Sequence, residues 1–308
     1  MIRSLSRMLV VGLVLLTGIS AGTVRAAEPK KLLLVTHSAG FVHDSVALSE
    51  EILKEIAPKY GFTVTCFRFT SDPDEKRTIT ETVDGKKVQK TITALEAYSQ
   101  AFRRSTGQTV TREQCGRVNA ETLKQFDAVL FFTTGNPLTK QELVDLTEWV
   151  KAGGAFAGTH CATDTLYGTS YGELIGAYFE NHPWHQKIKL RVEDAAHAAA
   201  KGFREGDEIT DEIYQFRATP YSRDKLRIIL SVDNSSIDVT KGKRPDQDYA
   251  IAWVQSVGKG KVFYTSLGHR KDVWKDARFQ QHLFGGLNWT VSNAPGSSEP
   301  SGKKAAAK

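Results

Sequence analysis

The chain is poor in cysteine. Three residues, Cys66, Cys115 and Cys161, stand in 308, and an odd number cannot be fully paired. Cys66 and Cys115 flank a polar segment and could form a disulfide; equally, Cys66 suits a buried strand position. No CxxC and no HExxH occurs, so local metal-ligand spacings are missing. No apolar run beyond the first thirty residues approaches a membrane span, which argues against stable membrane insertion of the mature chain. No basic stripe is interleaved with aromatics, which argues against a nucleic-acid partner. No repeat of solenoid period is present.

The formal net charge of +6 is concentrated at the two ends. Arg3, Arg7 and Arg25 carry half of it, and the tail places Lys303, Lys304 and Lys308 against Glu299. The body is therefore near neutral. The first segment has a basic start, "MIRSLSR", an apolar run, "MLVVGLVLLTGISAGT", and small residues at "VRAA". That is the pattern of a secretory signal peptide over residues 1–26, cleaved after Ala26, and it places the protein in the periplasm or outside the cell. An uncleaved anchor is the alternative. No cysteine near the cleavage site offers a lipid attachment point.

The body, residues 31–292, alternates strands and helices. "KLLLVTH" reads as a strand buried on both faces; "SVALSEEILKEIAPKYG" has helical apolar spacing and stops at Gly61. "FTVTCFRF", "FDAVLFFTTG" and "AFAGTH" follow as strands, with "LTKQELVDLTEWVKAGG" as an amphipathic helix before the last. Such alternation specifies an α/β fold with a mostly parallel sheet between helices. Residues 71–125 interrupt it with a polar, Thr-rich surface excursion. Asp84-Gly85 marks a hairpin there, followed by a helix, and part of it could be disordered. Five further strand-like segments lie between Ile188 and Gly268, with Gly258-Lys259-Gly260 as a turn, and a helix closes the domain. The segment 294–308 is low-complexity and expected to be disordered.

Histidines mark the chemistry. His37 and His43 follow the first strand, His160 follows "AFAG", and His269 follows "VFYTSLG". In open parallel sheets ligands bind beyond the carboxyl ends of the strands, so these segments converge on one edge. A single histidine there would be a structural residue; the shared position is what suggests a site. "ENHPWH" adds His182 and His185 at what reads as a proline-fixed turn, with His185 better explained as surface decoration. "TDEIYQF" adds Asp211 and Glu212 before Tyr214. Imidazoles with one carboxylate suit a divalent metal such as zinc, and also serve proton transfer without metal. At the elbow "GGAFAGTHCATDT", His160 takes the tip where a hydrolase would present a nucleophile. The amino end of a following helix would disfavour its protonated form, leaving it a ligand or base. Cys161 would point elsewhere.

The motifs "GFVHDS", "GTHCATDT", "HPW", "DEIY", "AIAWVQSVGKGKVFYTSLGH" and "FGGLNWT" together resemble the ThuA-like (trehalose utilisation) family, from about Lys31 to Ser292. The resemblance implies a flavodoxin-like, class I glutamine amidotransferase-like three-layer sandwich with additional C-terminal strands. The family lacks the amidotransferase cysteine at the elbow, consistent with His160. Its polar motif positions fall on His43, Asp44, His160, Asp164, His182, Glu212, Tyr214 and His269. The resemblance implies catabolism of oxidised disaccharides or glycosides. Cys161, where a serine is common, and the long insertion depart from the pattern.

The resulting expectation is an exported enzyme acting on a small-molecule carbohydrate, a keto-sugar or keto-glycoside. It would be a hydrolase, lyase or isomerase, using acid-base or metal-assisted chemistry. His160, His269 and Glu212 would be catalytic. His43, Asp44, Asp164, Tyr167, His182, Trp184 and Tyr214 would bind substrate, with Tyr167, Trp184 and Tyr214 stacking on a sugar ring. His43, His160, His182 and His269 would hold any metal. A non-catalytic sugar-binding module on the same fold, and a hydrolase using Cys161, are the competing readings.

Overall fold

The computed structural model describes residues 28–292 and 294–302. The leader expected over residues 1–26 lies outside them. β1 (Lys30–Val35) is the apolar run, with Leu32 to Val35 fully buried. α1 (Val46–Ile56) continues through a 3-10 turn to Gly61, whose φ of 81° ends the helix. β2 (Phe62–Phe67) lies parallel to β1.

The insertion then forms a two-stranded ribbon, β3 (Lys76–Val83) and β4 (Lys86–Thr93). Asp84 and Gly85 both take positive φ, as the tight turn of such a hairpin requires. The ribbon is mostly exposed, as expected of a surface excursion. α2 (Ala94–Thr106) is not: it starts at a Thr93–Glu96 capping box and buries Tyr98 and Phe102 in the main core. The Tyr98 hydroxyl accepts from the Ser38 N–H, 2.9 Å away, so the insertion supports the loop that follows β1.

After α3 (Ala120–Leu123), β5 (Ala128–Phe131) pairs with β1. α4 (Lys140–Lys151), capped by Thr139 and Glu142, leads into β6 (Ala155–Thr159). α5 (Tyr171–Ile175) is a short helix. β7 (Phe179–Val192), β8 (Glu208–Phe216), β9 (Arg227–Val232), β10 (Ala250–Val257) and β11 (Gly260–Thr265) complete the strands. α6 (Lys271–Lys275) and α7 (Ala277–Val291) close the domain.

The nine-stranded sheet runs β2-β1-β5-β6-β11-β10-β9-β7-β8. The first five strands are mutually parallel, and the pairings from β11 to β8 are antiparallel. Alternate residues of one strand enter different cores. Leu32 and Leu34 join one cluster, Leu33 and Val35 the other, so helices cover both faces. This is the expected three-layer α/β sandwich, with a glutamine amidotransferase-like fold.

Two local readings change. Glu180–His185 is not a turn but part of β7, which pairs irregularly with β8 between Asn181 and Trp184. Pro183 has no N–H for the ladder, and the irregularity absorbs it within the strand. Residues 294–302, expected to be disordered, run along the domain. Ala198 donates to the Pro295 carbonyl, Trp289 Nε1 to the Gly296 carbonyl, and Ser301 N–H to Leu226.

Candidate active site

The parallel strands end together, and their following loops build the site. β6 ends at Thr159, and His160 takes φ +45°, a left-handed conformation costly for a side chain of this size. Gly158 permits the turn: a Cβ there would come within 2.8 Å of both Ile175 and Ala162. Gly135 N–H donates to the Asp164 carbonyl, and Leu166 N–H to the Gly135 carbonyl, so the loop after β5 grips the elbow. No α-helix starts at the elbow. A single 3-10 turn spans His160–Thr163, so the expected helix dipole contributes little. The reason His160 stays neutral is different: it is wholly buried, and His43 and His269 stand beside it, which together hold its pKa well below the usual imidazole range.

The tautomer of His160 follows from its partners. Nδ1 lies 2.9 Å from the Ser266 carbonyl, which can only accept, so Nδ1 carries the proton. Nε2 is then a bare lone pair. It faces the Tyr214 hydroxyl at 3.0 Å, His269 Nδ1 at 3.3 Å and Glu212 Oε2 at 3.6 Å. The His43 ring centre is 4.9 Å from that of His160 and 5.3 Å from that of His269.

Glu212 and Tyr214 come from β8, at the far edge of the sheet. β7 pairs with β9 only over Leu190–Val192, and its earlier part pairs with β8 instead. The β7–β8 ribbon thus leaves the sheet and curls over the carboxyl edge. Positions two apart share a strand face, which brings Glu212 and Tyr214 to His160 together. Asp211 pins the ribbon in place: its carboxylate accepts from Gly268 N–H at 2.7 Å and Arg270 N–H at 3.1 Å, the residues on either side of His269. Burial pushes its pKa up to about 6 against the pull of these bonds.

Glu212 Oε2 is 3.2 Å from His269 Nδ1. Burial would lower the His269 pKa, but its bond to Glu212 and that carboxylate's charge outweigh burial and raise it. Burial likewise opposes ionisation of Glu212, and the bond to His269 outweighs it and lowers its pKa. His43 is brought down to about 4 by burial and by His269. The centre pairs His269 with Glu212 and sets beside them two imidazoles whose pKa values burial lowers.

Donor atoms of His43, His160, Glu212 and His269 all lie within 4.8 Å of one another. Three imidazoles and a carboxylate suit zinc or a similar borderline ion. Two observations support the fit. His160 offers its lone pair because its other nitrogen is held by a carbonyl, and His43 Nδ1 is buried without any hydrogen-bond partner. The expected ligand His182 falls outside this group, and Glu212 takes its place. His182 is 53% exposed, with Nδ1 3.6 Å from Glu212 Oε1.

The other expected residues divide. Asp44 lies at the rim, paired with Lys271 at 2.8 Å, and lines a cavity of about 440 Å³ with His185, His269 and Arg270. His185, expected to be surface decoration, has its ring centre 5.1 Å from His269. Asp164 sits on the elbow beside Tyr167, and burial raises its pKa. Three expected stacking residues are not available. Trp184 is 1% exposed, packs on Tyr249 and donates to the Asp238 carbonyl. Tyr214 is buried under Phe179. Tyr167 donates to the Phe179 carbonyl, and the Arg217 guanidinium covers its ring at 4.4 Å. His37 turns away, bonding Thr70 and packing on Phe69 and Tyr98.

Asp211 and Ser266 had no assigned role in the sequence, although the pairing of Asp211 with Glu212 in one strand was visible. Cys161 is fully buried, and burial raises its thiol pKa well above the usual value. All three cysteines are free thiols.

Among curated proteins no sequence match is found. Solved structures that share the fold include two ThuA-like proteins. A ThuA-like protein from Bacteroides uniformis ATCC 8492 is 18% identical, with TM-score 0.59, over 92% of this chain and 99% of that one. A ThuA-like protein from Parabacteroides merdae ATCC 43184 is 16% identical, with TM-score 0.58, over 89% and 94%. The sequence profile of the ThuA family, described as trehalose utilisation, matches residues 31–290, and the chain belongs to that family.

Proposed function

We propose that this protein is an exported enzyme of carbohydrate breakdown. It would hold a divalent cation such as zinc on His43, His160, Glu212 and His269, and act on a keto-sugar or keto-glycoside. One observation carries the reading: a buried His160 whose Nε2 lone pair is fixed by the Ser266 carbonyl and directed at His269 and Glu212. A bound cation would polarise a sugar carbonyl at that point. The chain's own groups do the rest. With the cation bound, His269 and Glu212 would give up the proton between them and act as its ligands, holding and orienting the ion. His182, exposed, outside the donor set and 3.6 Å from Glu212 Oε1, is the group placed to deliver or accept a proton beside the carbonyl. Asp44, His185 and Arg270 line the adjoining cavity with groups that hydrogen-bond hydroxyls. The family's description supports a carbohydrate substrate, and the leader pattern in residues 1–26 supports export to the periplasm or the medium.

The test is elemental analysis of the purified mature protein, then turnover of keto-glucosides with and without chelator. His160→Ala should lose bound metal and turnover while keeping its circular dichroism spectrum. Full activity in His160→Ala would overturn the assignment. Sugar binding without any product would make the chain a binding module instead.

A further inference from the structure

The site as described has polar groups for hydroxyls and no aromatic face for a sugar ring. Trp184, Tyr214 and Tyr167 are each covered. One aromatic behaves oppositely. Phe41 is 67% exposed, although its neighbours in sequence Val42 and His43 are buried. Its ring centre stands 4.8 Å from His43, edge to face, which places it directly beside the four-donor centre. The exposure does not come from a loose loop. Ala39 N–H donates to the Thr134 carbonyl, Gly40 N–H to Thr134 Oγ1, and Thr134 Oγ1 donates to the Phe41 carbonyl at 2.8 Å. Tyr98, from the insertion, braces the same loop through Ser38. A rigid backbone thus holds a large apolar ring in water at the mouth of a polar site. Water disfavours that arrangement, and a ligand with an apolar face would relieve it.

We infer that Phe41 is the platform of the substrate subsite, taking the C–H face of a pyranose ring while the hydroxyl edges meet the polar groups. This rests on the carbohydrate reading above and adds a recognition residue to it. Phe41 carries no proton and holds no metal, so it is a positioning residue. It acts on binding rather than on the chemical step.

The probe is methyl 3-keto-α-D-glucopyranoside, with KM and kcat measured on the mature protein alongside titration calorimetry. Phe41→Ala should raise KM roughly tenfold, leave kcat within about twofold and keep the wild-type zinc content. Phe41→Trp should restore KM to within about twofold. Val144→Ala, which removes another exposed apolar side chain, should change nothing. An unchanged KM in Phe41→Ala overturns the inference. So does loss of zinc and kcat in Phe41→Ala, because the ring would then only be supporting His43. If the wild-type protein neither binds nor converts the probe while zinc is bound, the carbohydrate reading has failed and this inference fails with it. Failure confined to the Phe41 variants leaves that reading standing.

Discussion

The Tyr214 hydroxyl donates to His160 Nε2 across 3.0 Å, occupying the lone pair that a metal would take. His160 Nδ1 is committed to Ser266, so the two uses of Nε2 are exclusive. Tyr214→Phe removes the competitor without reshaping the pocket. A lost hydrogen bond of about 1 kcal/mol corresponds to zinc binding some fivefold tighter in Tyr214→Phe, read by competition against a fluorescent chelator. Much weaker binding would show that the hydroxyl supports the occupied site rather than competing for it.

Asp211 makes a second, separable prediction. Its carboxylate takes up backbone N–H groups, that of Glu212 and those on both sides of His269. Asp211→Asn keeps the shape but turns one acceptor oxygen into a donor facing an N–H. Buried mismatches of this kind cost about 1–3 kcal/mol. The expected result is a lower urea midpoint and a kcat reduced at least tenfold, with KM little changed. Equal stability and equal kcat would remove Asp211 from the positioning role.

The sequence made the parallel half of the sheet readable because β1, β5 and β6 are uniform apolar runs punctuated by glycine and by capped helices. It made His43, His160 and His269 readable as one group because each lies in the segment that follows a strand of that half. Glu212 could be named but not placed. Its strand is the ninth in the sheet and reaches the site only because the β7–β8 ribbon leaves the sheet, a tertiary bend with no local signature. Trp184 was misjudged for the same reason: strand alternation alone does not say which face of a curling ribbon is buried. Phe41 passed unnoticed because an aromatic beside glycine reads as core until its exposure is known.

Acid should unfold this protein through histidines remote from the site. His37 is held to about 3, and His197 and His282 to about 4, in each case chiefly by burial. Above pH 6.5 neither the folded nor the unfolded chain protonates them. Below it the unfolded chain takes up protons that the native state refuses, so stability falls until the native values are reached near pH 4. Each histidine contributes a slope of about 1.4 kcal/mol per pH unit in that window. Asp211 acts the other way, since its raised value lets the native state bind a proton first between about pH 6 and 4. Buried His43 and His160 add to these losses, which outweigh the gains at Asp211 and His269 and leave a net fall. Urea midpoints between pH 7 and 4.5 should drop steeply, and His282→Gln should flatten the curve by one histidine's share. A pH-independent midpoint would refute the buried neutral assignment.

The thiol at the elbow gives the last test. Cys161 follows a residue in left-handed conformation, so the chain turns its side chain inward, where no solvent reaches it. Burial disfavours the thiolate, the form that attacks a carbonyl. Iodoacetamide at neutral pH should therefore leave Cys161 unmodified in the native protein, and intact mass after denaturation without reductant should show three alkylatable thiols. Cys161→Ala should keep kcat within about twofold and lose about 1 kcal/mol of stability for the vacated space. Loss of turnover in Cys161→Ala with an unaltered urea midpoint would return the nucleophile to cysteine and reduce His160 to a supporting role.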